Sequence, residues 1–304
     1  MLTPTGTQFE LALGANRATV TQLAAALREL RVDGVDLVQP YPATSSAPFG
    51  AGITLAPWPN RVRDGLWHLA GEPQQLDLTE PELGNALHGL LRDRPYDLAE
   101  RTDSSVTLAA TIFPTRGYPF EVATTARFEL TADGITVTHS LRTVGDAAAP
   151  VAVGSHPYLR LGDIPLDELT VTVPAGSRFE TDARLNPTAE TPVDGTRYDL
   201  RGGVPLRGLA LDDGFGQLPP GVNASRVTAP DGRYVELWQG EDFRYVQVFV
   251  TRIFPTDEGP AGALAIEPMS APADALNSGQ GLRWLEPGET WELSWGIRYS
   301  GARA

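Results

Sequence analysis

The chain has 304 residues, 41% of them hydrophobic, enough to fill a large core in one unit. It holds 24 basic against 38 acidic residues, a formal net charge of −14, and this excess repels phosphate backbones and argues against nucleic acid as a partner. Cysteine is absent, which excludes disulfides and thiolate chemistry. No apolar run is long enough to span a membrane, and the start MLTPTGTQFELALG lacks the pattern of a secretory signal; the absence of cysteine points to a cytoplasmic setting.

In chain order, the first patterned segment is Thr19 to Leu30, TVTQLAAALREL. Its strong helix formers and helical spacing predict a helix on local propensity. Next comes Ala56 to Gly65, APWPNRVRDG, read as a loop flanked by proline and glycine. A guanidinium there can clamp a hydroxyl or carboxylate; a solvated surface role fits Arg63 better, and the two roles are balanced for Arg61. Asn85 to Gly89, NALHG, sets His88 beside a glycine, where a ligand can approach closely, although an ordinary loop histidine reads the same way.

Strand signals then dominate. Ser105 to Ile112 and Phe120 to Leu130 are rich in Val, Thr and aromatics, and Ile135 to Leu141 alternates with His139 on its apolar side. The stretch VAVGSHPYLRL, Val151 to Leu161, carries His156 in an apolar run that glycine and proline interrupt, so the imidazole is expected at a strand tip. Leu169 to Val173 is a further strand. Asp182 to Gly221 reads as a long surface excursion with several prolines and glycines. Tyr245 to Thr251 is a strand. In Ala263 to Asn277, ALAIEPMSAPADALN, Glu267 ends an apolar run before a proline. A carboxylate there is costly unless it is paired or used. Finally, Thr290 to Tyr299, TWELSWGIRY, puts Trp291, Leu293, Trp295, Ile297 and Tyr299 on one face of a half-buried strand. The tryptophans read as core rather than as a sugar platform.

Turn signals such as Pro230-Asp231-Gly232 and the spread of 31 glycines and 26 prolines leave little room for long helices. With no linker and no repeat, one extended all-β domain over residues 1–304 is the simplest organisation. The four histidines, at 68, 88, 139 and 156, show no HxH or HExxH spacing, so no metal site is expected. Neither GxGxxG, GxxxxGK[ST] nor the GxSxG elbow is present. Acid–base chemistry by one histidine and one carboxylate remains.

At these residues the sequence resembles the aldose 1-epimerase (galactose mutarotase-like) family. The matching pieces are PNRVRDG with Gly71 after it, NALHG, GSHPYLRL, LDDGF at 211–215, and IEPMSAPADALN followed by LEPGE. The resemblance implies an elongated β-sandwich with a cleft across one sheet, and a strand and turn rather than a helix near Thr19 to Leu30. It implies Glu267 as catalytic base and His156 as general acid. Arg61 and His88 would hold substrate oxygens, Asp212 would bind sugar hydroxyls, and Asn60, Tyr158 and Gln247 would line the cleft. It implies a hexose substrate, no metal and no organic cofactor, in a monomer or homodimer. Leu90 stands where many members have a second glycine, and Arg160-Leu161 where many have Asn-Leu; both bear on which sugar is taken.

On this reading a nearby carboxylate keeps His156 protonated at neutral pH. Three rivals remain. A hexose-6-phosphate epimerase would recruit Arg61, Arg63 or Arg160 for the phosphate. A glycoside hydrolase would pair Glu267 with Asp212. A non-catalytic sugar-binding module would keep the cleft and lose the turnover.

Overall fold

A computed structural model describes residues 3–301. Among these strand is the dominant regular structure, with one helical turn at Ala275–Ser278 and two 3-10 turns. Two large antiparallel sheets carry the architecture, one of nine strands and one of eight. Four strands between Gln8 and Asp36 form a separate smaller sheet.

The alternating patterns act as expected. Gly134–Thr143 and Thr290–Ser300 are neighbours in the nine-stranded sheet, with Val137 opposite Trp295 and His139 opposite Leu293. Residues facing each other across an antiparallel pair share a sheet face. Trp291, Trp295, Leu293 and Ile297 therefore enter the core together, and all are buried. That core also takes Val246, Val248, Leu264 and Ile266 from the eight-stranded sheet, so the two sheets face each other as a sandwich. His139 is one of its few polar members. Its Nε2 accepts the Trp295 indole N–H at 3.1 Å and lies 3.2 Å from the Ser155 hydroxyl, which joins the two sheets.

Thr19 to Leu30 is the strand and turn that the resemblance implies, not the helix of local propensity: Asn16–Thr21 and Leu27–Val32 are paired strands, and the turn between them holds Ala24 and Ala25 at positive φ. Tertiary bonds outweigh alanine's helical preference there. The Ala24 N–H donates to Arg94 O and its carbonyl accepts from Thr54 N–H. The 182–221 segment is not a mere excursion, because Pro187–Pro192 and Asp212–Gly216 are strands of the eight-stranded sheet and Val204–Pro205 is a strand of the nine-stranded one. Arg61 and Arg63 do not lie in a loop either: Arg61–Arg63 is a short strand paired with Asn85–Leu87.

The eight-stranded sheet positions the chemistry. Its centre is the long pair Tyr245–Thr256 and Gly259–Met269, in which Gln247 lies opposite Glu267. On the far side of Gly259–Met269, Gly154 pairs with Met269 and Tyr158 with Ala265. Those two registers bracket His156 and set it directly across from Glu267. Asp212 pairs with Phe249, two residues along from Gln247, so it shares the same face.

Candidate active site

Over this face opens a cleft of about 350 Å³ whose walls include Asn60, Arg61, His88, His156, Asp212, Gln247 and Glu267. A small-molecule site of that size is common. Seven of the eight residues singled out from the sequence thus meet there. The eighth, Tyr158, does not line the cleft. It is buried behind His156, its ring stacked on the imidazole at 5.1 Å between centroids and 20° between planes, and its hydroxyl donates to Phe49 O at 3.3 Å.

Glu267 and His156 touch: Nε2 of the imidazole is 3.3 Å from Oε1 of the carboxyl. Both are buried, yet His156 Nδ1 and Glu267 Oε2 have no hydrogen-bond partner. Buried polar atoms are almost always paired, so these two orphans set the pair apart from an ordinary core contact.

Burial sets the protonation of this pair, and against the expectation stated above. Burial holds Glu267 well above the usual carboxylate range, with the Asp212 charge adding to it and Arg61 opposing. Burial likewise pulls His156 down to about 4, and the Arg92 cation adds to the fall. Both shifts favour the uncharged forms, so burial works against an ion pair at this contact. The two groups titrate as a unit.

His88 lies beside them, its ring edge-on to that of His156 at 5.4 Å. It sits at φ 64, and the following Gly89 is needed because a Cβ there would come within 2.1 Å of Ala56 O. Asn60 is also left-handed, at φ 57, a conformation asparagine tolerates. The two turns lock together: His88 N–H donates to Asn60 O at 2.9 Å, and Asn60 N–H donates to His88 Nδ1 at 3.2 Å. A backbone N–H can only donate, so Nδ1 carries no proton and Nε2 does. Burial first, then His156 and Arg92, keep this ring neutral.

That tautomer bears on metal chemistry. Ligating atoms of His88, His156 and Glu267 lie within 4.8 Å of one another, a grouping the sequence spacing did not suggest. The remaining nitrogen of His88, however, carries its proton and is a donor, so the set suits a substrate oxygen better than a cation.

Arg61 is held in a fork by Glu80, with Nε–Oε2 and Nη2–Oε1 both 2.9 Å, and its Nη2 is 3.9 Å from Asp212 Oδ2. Asp212 Oδ1 accepts from Gln247 Nε2 at 2.7 Å. Burial raises the Asp212 pKa, opposed by Arg61 and Gln247. Glu80 and Arg92 line the cleft and escaped the sequence reading, as did the aromatic wall residues Phe49 and Phe249. Arg92 has no carboxylate within 4.0 Å among the described residues. Arg63 and Arg160, considered as phosphate donors, lie outside the cleft and are paired with Asp182 at 2.8 Å and Asp163 at 2.9 Å.

A buried imidazole in contact with a carboxyl, on one face of a β-sandwich, is the defining feature of the site, and comparison with known proteins gives the family. The aldose 1-epimerase family profile matches residues 8–298, and the chain belongs to that family. It is 32% identical over 293 residues to the uncharacterized protein YihR of Escherichia coli K12, covering 96% of this chain and 93% of that one. Among solved structures, a GalM/aldose epimerase homologue from C. elegans superposes with a TM-score of 0.85 at 18% identity, covering 98% of this chain and 99% of that one. A galactose 1-epimerase from Lactobacillus acidophilus gives 0.76 at 20% identity, over 97% and 95% of the two chains. At such identities these structures speak to the fold.

Proposed function

We propose that the protein is a mutarotase, interconverting the α and β anomers of a free aldohexose by acid–base ring opening. The observation that carries the reading is the Glu267–His156 contact in the lining of the cleft.

Opening a pyranose hemiacetal requires the C1 hydroxyl to lose a proton while the ring oxygen gains one. An acid and a base that share one proton between them are what this exchange needs. In the reactive form that proton sits on His156 and Glu267 is an anion. The incoming sugar hydroxyls supply hydrogen bonds that burial otherwise denies to both charges. Glu267 takes the proton from O1 as the C1–O1 bond becomes a carbonyl. The C1–O5 bond breaks and His156 protonates O5. Rotation about C1–C2 presents the other carbonyl face, and the same transfers run backward to close the ring. Each turnover returns the pair to its starting proton count and moves no net electrons. Two timed transfers of this kind supply about 10²–10⁴ in rate. His88 Nε2–H, Arg61 and Asp212 hold oxygens of the sugar.

A second reading, 1-epimerisation of a hexose 6-phosphate, has one observation in its favour: Arg92 lines the cleft with no carboxylate within 4.0 Å among the described residues. Polarimetry of fresh α-glucose, α-galactose and their 6-phosphates tests both. Faster optical decay with free aldoses supports the first reading, and acceleration confined to the phosphates supports the second. No acceleration of any of these rejects both and leaves a sugar-binding or glycoside-cleaving role, the latter scored by release from a chromogenic glycoside.

A further inference from the structure

The cleft is lined by polar groups, among them Asn60, Arg61, His88, Asp212 and Gln247, and by two aromatic rings, Phe49 and Phe249. Phe49 is 45% exposed, while Phe249 is half-buried. Their ring centroids are 6.4 Å apart at 59°, and Phe254 supports Phe49 from another side at 6.3 Å. One ring is thus braced by two others, yet it leaves much of its surface open beside the acid–base pair.

The backbone beneath this ring is unusual. Phe49 sits at φ 48, ψ 31, in the left-handed region that bulky side chains avoid. Such strain persists only where surrounding bonds impose it, and it gathers at functional positions. Here the Ala51 N–H donates to Pro48 O at 2.9 Å, and the Tyr158 hydroxyl donates to Phe49 O. Tyr158 is also the residue whose ring stacks on His156. Just downstream, Gly52 N–H donates to His156 O at 2.8 Å and His156 N–H donates to Ile53 O at 3.1 Å. The turn that presents Phe49 is therefore fixed to the acid through both a side chain and the main chain.

A pyranose carries hydroxyls at its rim and a patch of C–H bonds on its face. The polar lining can satisfy the rim, and only an apolar surface suits the C–H patch, since polar groups there would be buried unpaired. We propose that Phe49, backed by Phe249, is the platform on which the C–H face of the sugar packs, and so a substrate-positioning residue that sets the ring against Glu267 and His156. The proposal rests on the mutarotase reading for its substrate and extends it to a residue outside the proton-transfer machinery.

The test uses the full-length protein and the variants Phe49→Ala, Phe49→Leu and Phe49→Tyr. Polarimetry gives KM and kcat on a free aldose. Calorimetric titration with methyl β-glucopyranoside and methyl β-galactopyranoside, which cannot open their rings, gives binding without turnover. A stacking contact predicts that Phe49→Ala raises KM and weakens the bound glycoside by about tenfold, with kcat within about twofold. Phe49→Leu, apolar but without a ring face, loses most of the same affinity, and Phe49→Tyr restores it. Unchanged affinity in Phe49→Ala, a loss in kcat alone, or failure of Phe49→Tyr to restore binding overturns the proposal, as does failure of the wild type to bind either glycoside. If the wild type binds a glycoside but accelerates no mutarotation, the mutarotase reading fails alone and the titrations still decide the role of Phe49.

Discussion

Replacing Glu80 by alanine tests how the cleft holds its cation. Arg61 and Glu80 are mostly buried, with side-chain exposures of 11% and 15%, and two bonds of 2.9 Å join them. Breaking such a pair from one side leaves a charge without its partner, at a cost of about 3–5 kcal/mol. Part of this is recovered, because Arg61 Nη2 already lies 3.9 Å from Asp212 and can turn toward it. The expected net loss is about 3 kcal/mol, read as a lower urea midpoint with an unchanged slope. Function should change in a matching way. An Asp212 drawn onto Arg61 has less to offer a sugar hydroxyl, so KM rises more than kcat falls. Glu80→Gln keeps an acceptor without the charge and should lie between wild type and Glu80→Ala. A Glu80→Ala protein within about 1 kcal/mol of wild type would match a solvated surface pair and refute this account of the site.

Two further predictions concern protons. Arg92 lowers the pKa of His156 and His88, so Arg92→Met should let His156 take a proton more readily and move the acid limb of the pH–rate profile to higher pH; an unmoved limb contradicts that electrostatic role. His139 is buried neutral with its pKa pulled down to about 4, whereas the unfolded chain protonates near pH 6.5. The unfolded state therefore binds more protons across that window, and stability falls as pH drops through it, by roughly 3 kcal/mol for this group. His139→Gln retains an acceptor for the Trp295 indole without titrating, and urea midpoints measured from pH 7 to 4 should fall less steeply; an identical slope counts against the assignment.

Several features were legible because their pattern is local. The strand at Thr290 to Tyr299 declares itself by strict alternation, and its buried face is the alternating set. His156 and Glu267 stood out as polar residues in apolar runs, but their meeting did not, because register between strands distant in the chain carries no local signal. Only the pairings of Gly154 with Met269 and Tyr158 with Ala265 bring them together. Thr19 to Leu30 misled on propensity because the bonds that hold Ala24 in its turn come from Arg94 and Thr54, far along the chain. Glu80 and Arg92 were invisible for a related reason: each lies in a polar, loop-like context, and its role comes from what folds over it. The push of both Glu267 and His156 toward their uncharged forms follows from depth of burial, which composition does not report.

The most direct measurement is polarimetry of Glu267→Gln on fresh α-glucose and α-galactose, beside calorimetric binding of their methyl glycosides. With the amide in place, no side chain can accept the C1 proton at that point, so mutarotation should drop by at least about a hundredfold while the glycosides still bind. An optical decay as fast as that of the wild type would contradict the assignment of Glu267 as base, and with it the proton exchange from which the proposed function is built.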